Sequence, residues 1–128
     1  MRQKLKVAII DDEKDVRESI SQWLTLSGFE TQEFQSAEEA LKVINKDYPG
    51  VIISDIKMPD MNGIEFLKKL MVKDSTIPVI LITGHGDVSM AVEAMHLGAY
   101  DFLEKPFDPN KIVEISKRAL INRKLVLD

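Results

Sequence analysis

Apolar positions along the chain alternate between period two and period 3.6, switching five times. "LKVAII" (5–10) reads as a strand, followed by an amphipathic helix in "EKDVRESISQWLTLSG" (13–28) with Val16, Ile20, Trp23 and Leu24 on one face and Gly28 placed to stop it. "FETQEF" (29–34) is a weaker, alternating strand. Ser36 then caps a helix whose apolar side is Ala40, Leu41 and Ile44, with Glu39 completing a capping box. "GVIIS" (50–54) and "PVILIT" (78–83) are near-continuous apolar strands. Gly63 precedes a third helix, "IEFLKKLMV"; a fourth starts near Asp87, "AYDFL" (99–103) is a short fifth strand, and a last helix starts near Asn110. Central strands too apolar to have a wet face, alternating with helices, predict an α/β fold with a parallel sheet covered on both sides.

Four of these strands finish in side chains that a core does not require: Asp11, Asp12 and Glu13 after the first, Asp55 at the third, Thr83 at the fourth, Lys105 after the fifth. In an open parallel sheet the carboxyl ends share one edge, and ligands bind where strand order reverses. For an order 2-1-3-4-5 that point lies between the two strands ending in aspartates. Two carboxylates about 4 Å apart repel by about 1 kcal/mol in water and by several times that in a less polar cleft. Such a cluster needs a protonated member or a cation, and Mg²⁺ suits oxygen ligands and leaves positions for water or phosphate. With the Lys105 ammonium and the Thr83 hydroxyl beside it, the set fits phosphoryl transfer, with a carboxylate as nucleophile. Taken singly, each residue has a plainer use: "DDE" as a helix cap, Asp55 as the start of a turn closed by Pro59 and Gly63, Thr83 as a turn residue, Lys105 as a solvated loop lysine. Their convergence on one edge favours a site.

Composition narrows the classes. At 128 residues the chain is expected to be one domain, 1–128. A net charge of −4 argues against a nucleic-acid surface on this domain, and no apolar run approaches the roughly 18–20 residues of a membrane span. The absence of cysteine removes thiol chemistry and fits a reducing cytoplasm.

"VAIIDDE", "VIISDIKMPDMNG", "VILITGHGD" and "AYDFLEKPF", in this order and spacing, resemble the receiver domains of two-component response regulators across essentially the whole chain. The resemblance implies a flavodoxin-like (βα)₅ sandwich of strand order 2-1-3-4-5. It implies Asp55 as phosphoacceptor, Asp12 as direct Mg²⁺ ligand, Asp11 as its partner through water, and the Lys57 backbone carbonyl as a further ligand. Thr83 matches the switch hydroxyl, Lys105 the lysine that pairs with the phosphoryl group, and Phe102 the aromatic switch residue, here without a hydroxyl. The Lys105–Pro106 peptide is cis in such domains. More narrowly, the stretch from Thr83 to Phe107 is similar to receivers of nitrogen-regulation and dicarboxylate-transport activators. That likeness implies a sensor histidine kinase as partner and a DNA-binding effector domain outside this chain, toward which the last helix would run. A stand-alone receiver acting through protein contacts or in a phosphorelay is the alternative.

Apolar residues crowd the fourth helix, at Val88, Met90, Ala91, Val92, Ala94, Met95 and Leu97, so some are expected to face outward. The output surface is accordingly expected on the fourth helix, fifth strand and fifth helix. Two heptad-spaced stripes in the last helix, Ile112/Ala119/Val126 and Val113/Leu120/Leu127, predict a homodimer or linker contact. Trp23 is expected in the core, His85 and His96 give no metal signature, and the Lys68–Lys69 pair is expected on a solvated helix face. External turnover is not expected: an aspartate-nucleophile phosphatase of the haloacid dehalogenase kind needs a second aspartate two residues after the first, where Lys57 stands. A flavodoxin would need a hydroxyl-rich phosphate loop in place of "DDEKD".

Overall fold

The computed structural model describes residues 4–84 and 86–128; His85 lies outside the described residues. The elements run β1 (Lys6–Ile10), α1 (Lys14–Leu26), β2 (Glu30–Phe34), α2 (Ala37–Val43), β3 (Gly50–Asp55), α3 (Gly63–Lys73), β4 (Val79–Thr83), α4 (Val88–His96), β5 (Asp101–Glu104) and α5 (Pro109–Leu127). All strand pairs are parallel and the order is β2-β1-β3-β4-β5, the flavodoxin-like arrangement expected.

Because side chains alternate along a strand, the sheet divides its apolar residues between two cores. Ala8, Ile10, Ile52, Val79 and Leu81 pack with α2, α3 and α4 through Ala37, Ala40, Phe66, Leu67, Ala91 and Ala94. Val7, Ile9, Val51, Ile53, Ile80 and Ile82 pack with α1 and α5 through Ile20, Leu24, Ile112, Ile115 and Ala119. Trp23 is half-buried beside this second core and meets Phe107 edge to face at 6.1 Å.

Helix ends follow local chemistry. Gly28 adopts φ +94°, and Phe29 N–H returns to the Leu24 carbonyl, closing α1. Ser36 accepts from Glu39 N–H as expected, but among the described residues the complete capping box belongs to α3, where Asn62 and Glu65 exchange both bonds. Gly63 is the first residue of α3 rather than its predecessor. A β-carbon there would stand 2.7 Å from the Asp55 carbonyl oxygen, so only glycine lets α3 start against the end of β3. That contact, with Gly63 N–H on the Ile56 carbonyl at 2.7 Å, sets the loop that follows Asp55 at the end of β3.

The last helix is held by a residue that its sequence pattern does not single out. The Arg123 guanidinium is fully buried and donates to the Tyr48 carbonyl (3.0 Å), Thr76 Oγ1 (2.8 Å) and Asp74 Oδ2 (3.1 Å). It ties α5 to the loops before β3 and β4, at the edge of the sheet away from Asp55. Of the heptad stripes, Ile112 and Ala119 are buried against the sheet while Val126 is exposed; Val113, Leu120 and Leu127 are half-buried. Among the described residues, no helix is long and apolar enough to cross a membrane.

Candidate functional site

Register alone brings the acidic residues level. Ile10 pairs with Ser54, so Asp11 stands beside Asp55 in the next row, at the crevice between β1 and β3. Asp55 pairs with Ile82 and Thr83 with Glu104, which puts Thr83 and Lys105 one step further along the same edge. The strand-end residues read from the sequence are therefore gathered as expected. The carboxylates of Asp11, Asp12 and Asp55 each offer an oxygen within 4.8 Å of the others. Asp11 and Asp55 are buried and Asp12 is exposed.

The Lys105 ammonium reaches Asp55 Oδ2 at 3.3 Å from the far side, and Lys105 N–H donates to the Thr83 carbonyl at 2.8 Å. The Lys105–Pro106 peptide is cis, as the resemblance implies. The Thr83 hydroxyl is buried and donates to the Gly84 carbonyl at 3.1 Å. Lys57 N–H approaches Asp55 Oδ1 at 3.4 Å, which places the Lys57 backbone beside the cluster. Phe102 is half-buried against the α2–α4 side of the core.

The donor set fits a hard divalent cation. Asp11 Oδ1 accepts from Glu13 N–H at 2.9 Å, but Asp11 Oδ2 is buried and has no hydrogen-bond partner. An orphaned carboxylate oxygen among two further carboxylates is the arrangement that an oxygen-ligated ion completes. Without one, Asp11 is pushed up to about 6: burial is the main cause, the Glu13 N–H opposes it, the charge of Asp55 adds to it, Lys105 opposes and Asp12 adds.

Sequence reasoning missed Arg17, which donates to the Asp11 carbonyl at 2.8 Å and pairs with Glu33 at 3.2 Å, bracing the turn after β1. It also missed that Lys57 pairs through its side chain with Asp87 Oδ1 at 3.2 Å. The spacing of neither pair carries a local signal. A cavity of about 440 Å³ opens beside Lys105, lined mainly by Val16, Ile20, Trp23, Pro106 and Phe107.

Comparisons with known proteins agree with this geometry. A family model for the response regulator receiver domain matches residues 7–117. The C4-dicarboxylate transport transcriptional regulatory protein DctD of Rhizobium meliloti is 45% identical over 95% of this chain, which spans 26% of that relative's length. The transcriptional regulatory protein FixJ of the same organism is 50% identical over 88% of this chain and 55% of its own length. Among solved structures, a response regulator receiver domain protein from Clostridium thermocellum superposes with a TM-score of 0.86 at 30% identity, covering 95% of this chain and 98% of that one.

Proposed function

The chain belongs to the response regulator receiver domain family, and from that footing we propose that Asp55 accepts a phosphoryl group from a phosphohistidine of a sensor histidine kinase. The observation that carries this reading is the position of Asp55. Its carboxylate lies between the Lys105 ammonium at 3.3 Å and the Asp11–Asp12 pair, at the crevice where strand order reverses.

In the proposed step an Asp55 carboxylate oxygen forms a bond to phosphorus as the phosphorus–nitrogen bond of the donor breaks. The imidazole leaves with the electron pair and takes up a proton. Asp11, Asp12, Asp55 and the Lys57 carbonyl would hold Mg²⁺, whose chemistry there is neutralisation of charge on the transferring oxygens. Lys105 neutralises from the opposite side and orients the carboxylate. After transfer, the Thr83 hydroxyl, now spent on the Gly84 carbonyl, turns to a phosphoryl oxygen. Movement of Thr83 and Lys105 draws the loops after β4 and β5 inward and biases an inactive–active equilibrium.

The output we assign to α4, β5 and α5. Val88, Val92 and Met95 are 41%, 46% and 38% exposed and lie along one face of α4, an outward apolar stripe of the kind a partner or second copy covers. The names of DctD and FixJ support transcription regulation as the outcome; in this reading a DNA-binding effector domain and a change in dimerisation would carry it. Phe102 would act in this readout through packing alone, since it lacks a hydroxyl. The test is incubation of wild type and Asp55→Asn with Mg²⁺ and a small acyl phosphate, read by intact mass. Wild type is expected to gain one phosphoryl group and the variant none; equal labelling would contradict the assignment.

A further inference from the structure

The beginning of α4 departs from that of most other helices. At α2, α3 and α5 the N-cap side chain accepts from a backbone N–H of the first turn: Ser36 from Glu39, Asn62 from Glu65, Asp108 from Asn110. Asp87, the N-cap of α4, is of an equally suitable type. Yet among the described residues its carboxylate caps no amide of α4, and the first turn of this helix carries no acid of its own. The carboxylate is instead turned back across the site. Oδ1 meets the Lys57 ammonium at 3.2 Å, and Oδ2 lies where a β-carbon on residue 84 would come within 3.1 Å, a space left by Gly84.

Lys57 joins this to the phosphoryl site. It follows Asp55 by two residues and its N–H approaches Asp55 Oδ1 at 3.4 Å. Its side chain is 68% exposed, against 18% for Asp87. The ammonium is thus on a flexible stem, and the carboxylate is the fixed member of the pair.

We propose that Asp87 is an exchangeable strap: paired with Lys57 it leaves the start of α4 uncapped, and when charge builds on Asp55 it is released to cap α4. This inference rests on the phosphorylation reading. A phosphoryl group brings additional negative charge and acceptor oxygens, which compete with Asp87 for the Lys57 ammonium. The Met90 N–H already donates to the Asp87 carbonyl at 3.1 Å, so the freed carboxylate accepts from the Ser89 N–H, at the second helical position, as the Asp87 backbone turns from φ −101°, ψ 23° to the extended form of the three capped helices. Phosphorylation thereby tightens the first turn of α4, which carries the exposed Val88 and Val92. The strap gives the site a route to that face besides the Thr83 hydroxyl.

The experiment is amide hydrogen exchange at Ser89, by NMR, in wild type, Lys57→Met, Asp87→Asn and Asp87→Ala. Each is read at rest and after treatment with acetyl phosphate and Mg²⁺, with intact mass counting the phosphoryl groups taken up. In the resting state Lys57→Met and Asp87→Asn are expected to slow exchange about fivefold relative to wild type, the effect of one good cap. Wild type reaches that protection only once phosphorylated, and Asp87→Ala never does. Equal exchange in resting Lys57→Met and wild type overturns the strap, as does full protection of phosphorylated Asp87→Ala. If no protein takes up a phosphoryl group, the phosphorylation reading fails by itself, and the resting comparison still decides whether Lys57 and the α4 cap compete for Asp87.

Discussion

At the scale of the residue, Asp11 shows what burial and crowding do to a carboxylate. Burial raises its carboxyl to about 6, with the Asp55 and Asp12 charges adding to the effect against the Glu13 N–H and Lys105. A group whose folded value lies above its unfolded value of 3.8 holds its proton longer in the folded chain. Folding therefore binds protons between about pH 4 and pH 6, and stability falls as pH rises through that window. In chelator the urea midpoint should drop from pH 4 to pH 6 by this contribution, and millimolar Mg²⁺ should remove the drop, because the ion stabilises the ionised form. Asp74 has the opposite sign. Burial raises it, but hydrogen bonds from the Thr76 side chain, the Asp47 and Thr76 N–H groups and Arg123 outweigh burial and hold it well below the usual carboxylate range. Its contribution is complete above the unfolded value of 3.8 and is lost as pH falls below it.

At the scale of the element, the two ends of α5 differ. Its first half packs through Ile112, Ile115 and Ala119, while further along Arg123 replaces apolar burial with three hydrogen bonds to loops, and Ile121 and Leu125 are 54% and 72% exposed. Arg123→Met leaves the Tyr48 carbonyl and Asp74 without their buried donor. The variant should lose about 3–5 kcal/mol of unfolding free energy by urea denaturation, as when one partner of a buried ion pair is removed. Labelling of Asp55, at the other edge of the sheet, should persist wherever the variant is folded.

Strands and helices were legible because their periods are strong, and the site was legible because strand ends are where short polar residues have no packing reason to stand. Arg123 was not legible: its partners lie 47 to 75 residues away, and a lone arginine between Asn122 and Lys124 reads as solvated. The α3 capping box carried the same local signal as Ser36–Glu39, with Asn62 three residues before Glu65, and was overlooked. Lys57–Asp87 had no local signal, since two loops meet there only once the sheet is assembled.

At the scale of the whole molecule, two apolar cores fix one sheet, and the sheet aligns one charged edge. The arrangement puts folding energy in the strands and sets the charged and hydroxyl groups at strand ends and in the loops that follow, where movement costs little. α3 starts against Asp55, and Asp87 at the head of α4 reaches Lys57, so helices of one face begin beside the acidic cluster. The most direct test of the central claim is an anomalous-difference map from crystals soaked in Mn²⁺, an oxygen-seeking stand-in for Mg²⁺. The account predicts a single strong peak at the rim between β1 and β3, bonded to Asp12 and Asp55 and to the Lys57 carbonyl, with Asp11 beside it. A map without a peak there, or with the ion held by other groups, would contradict it.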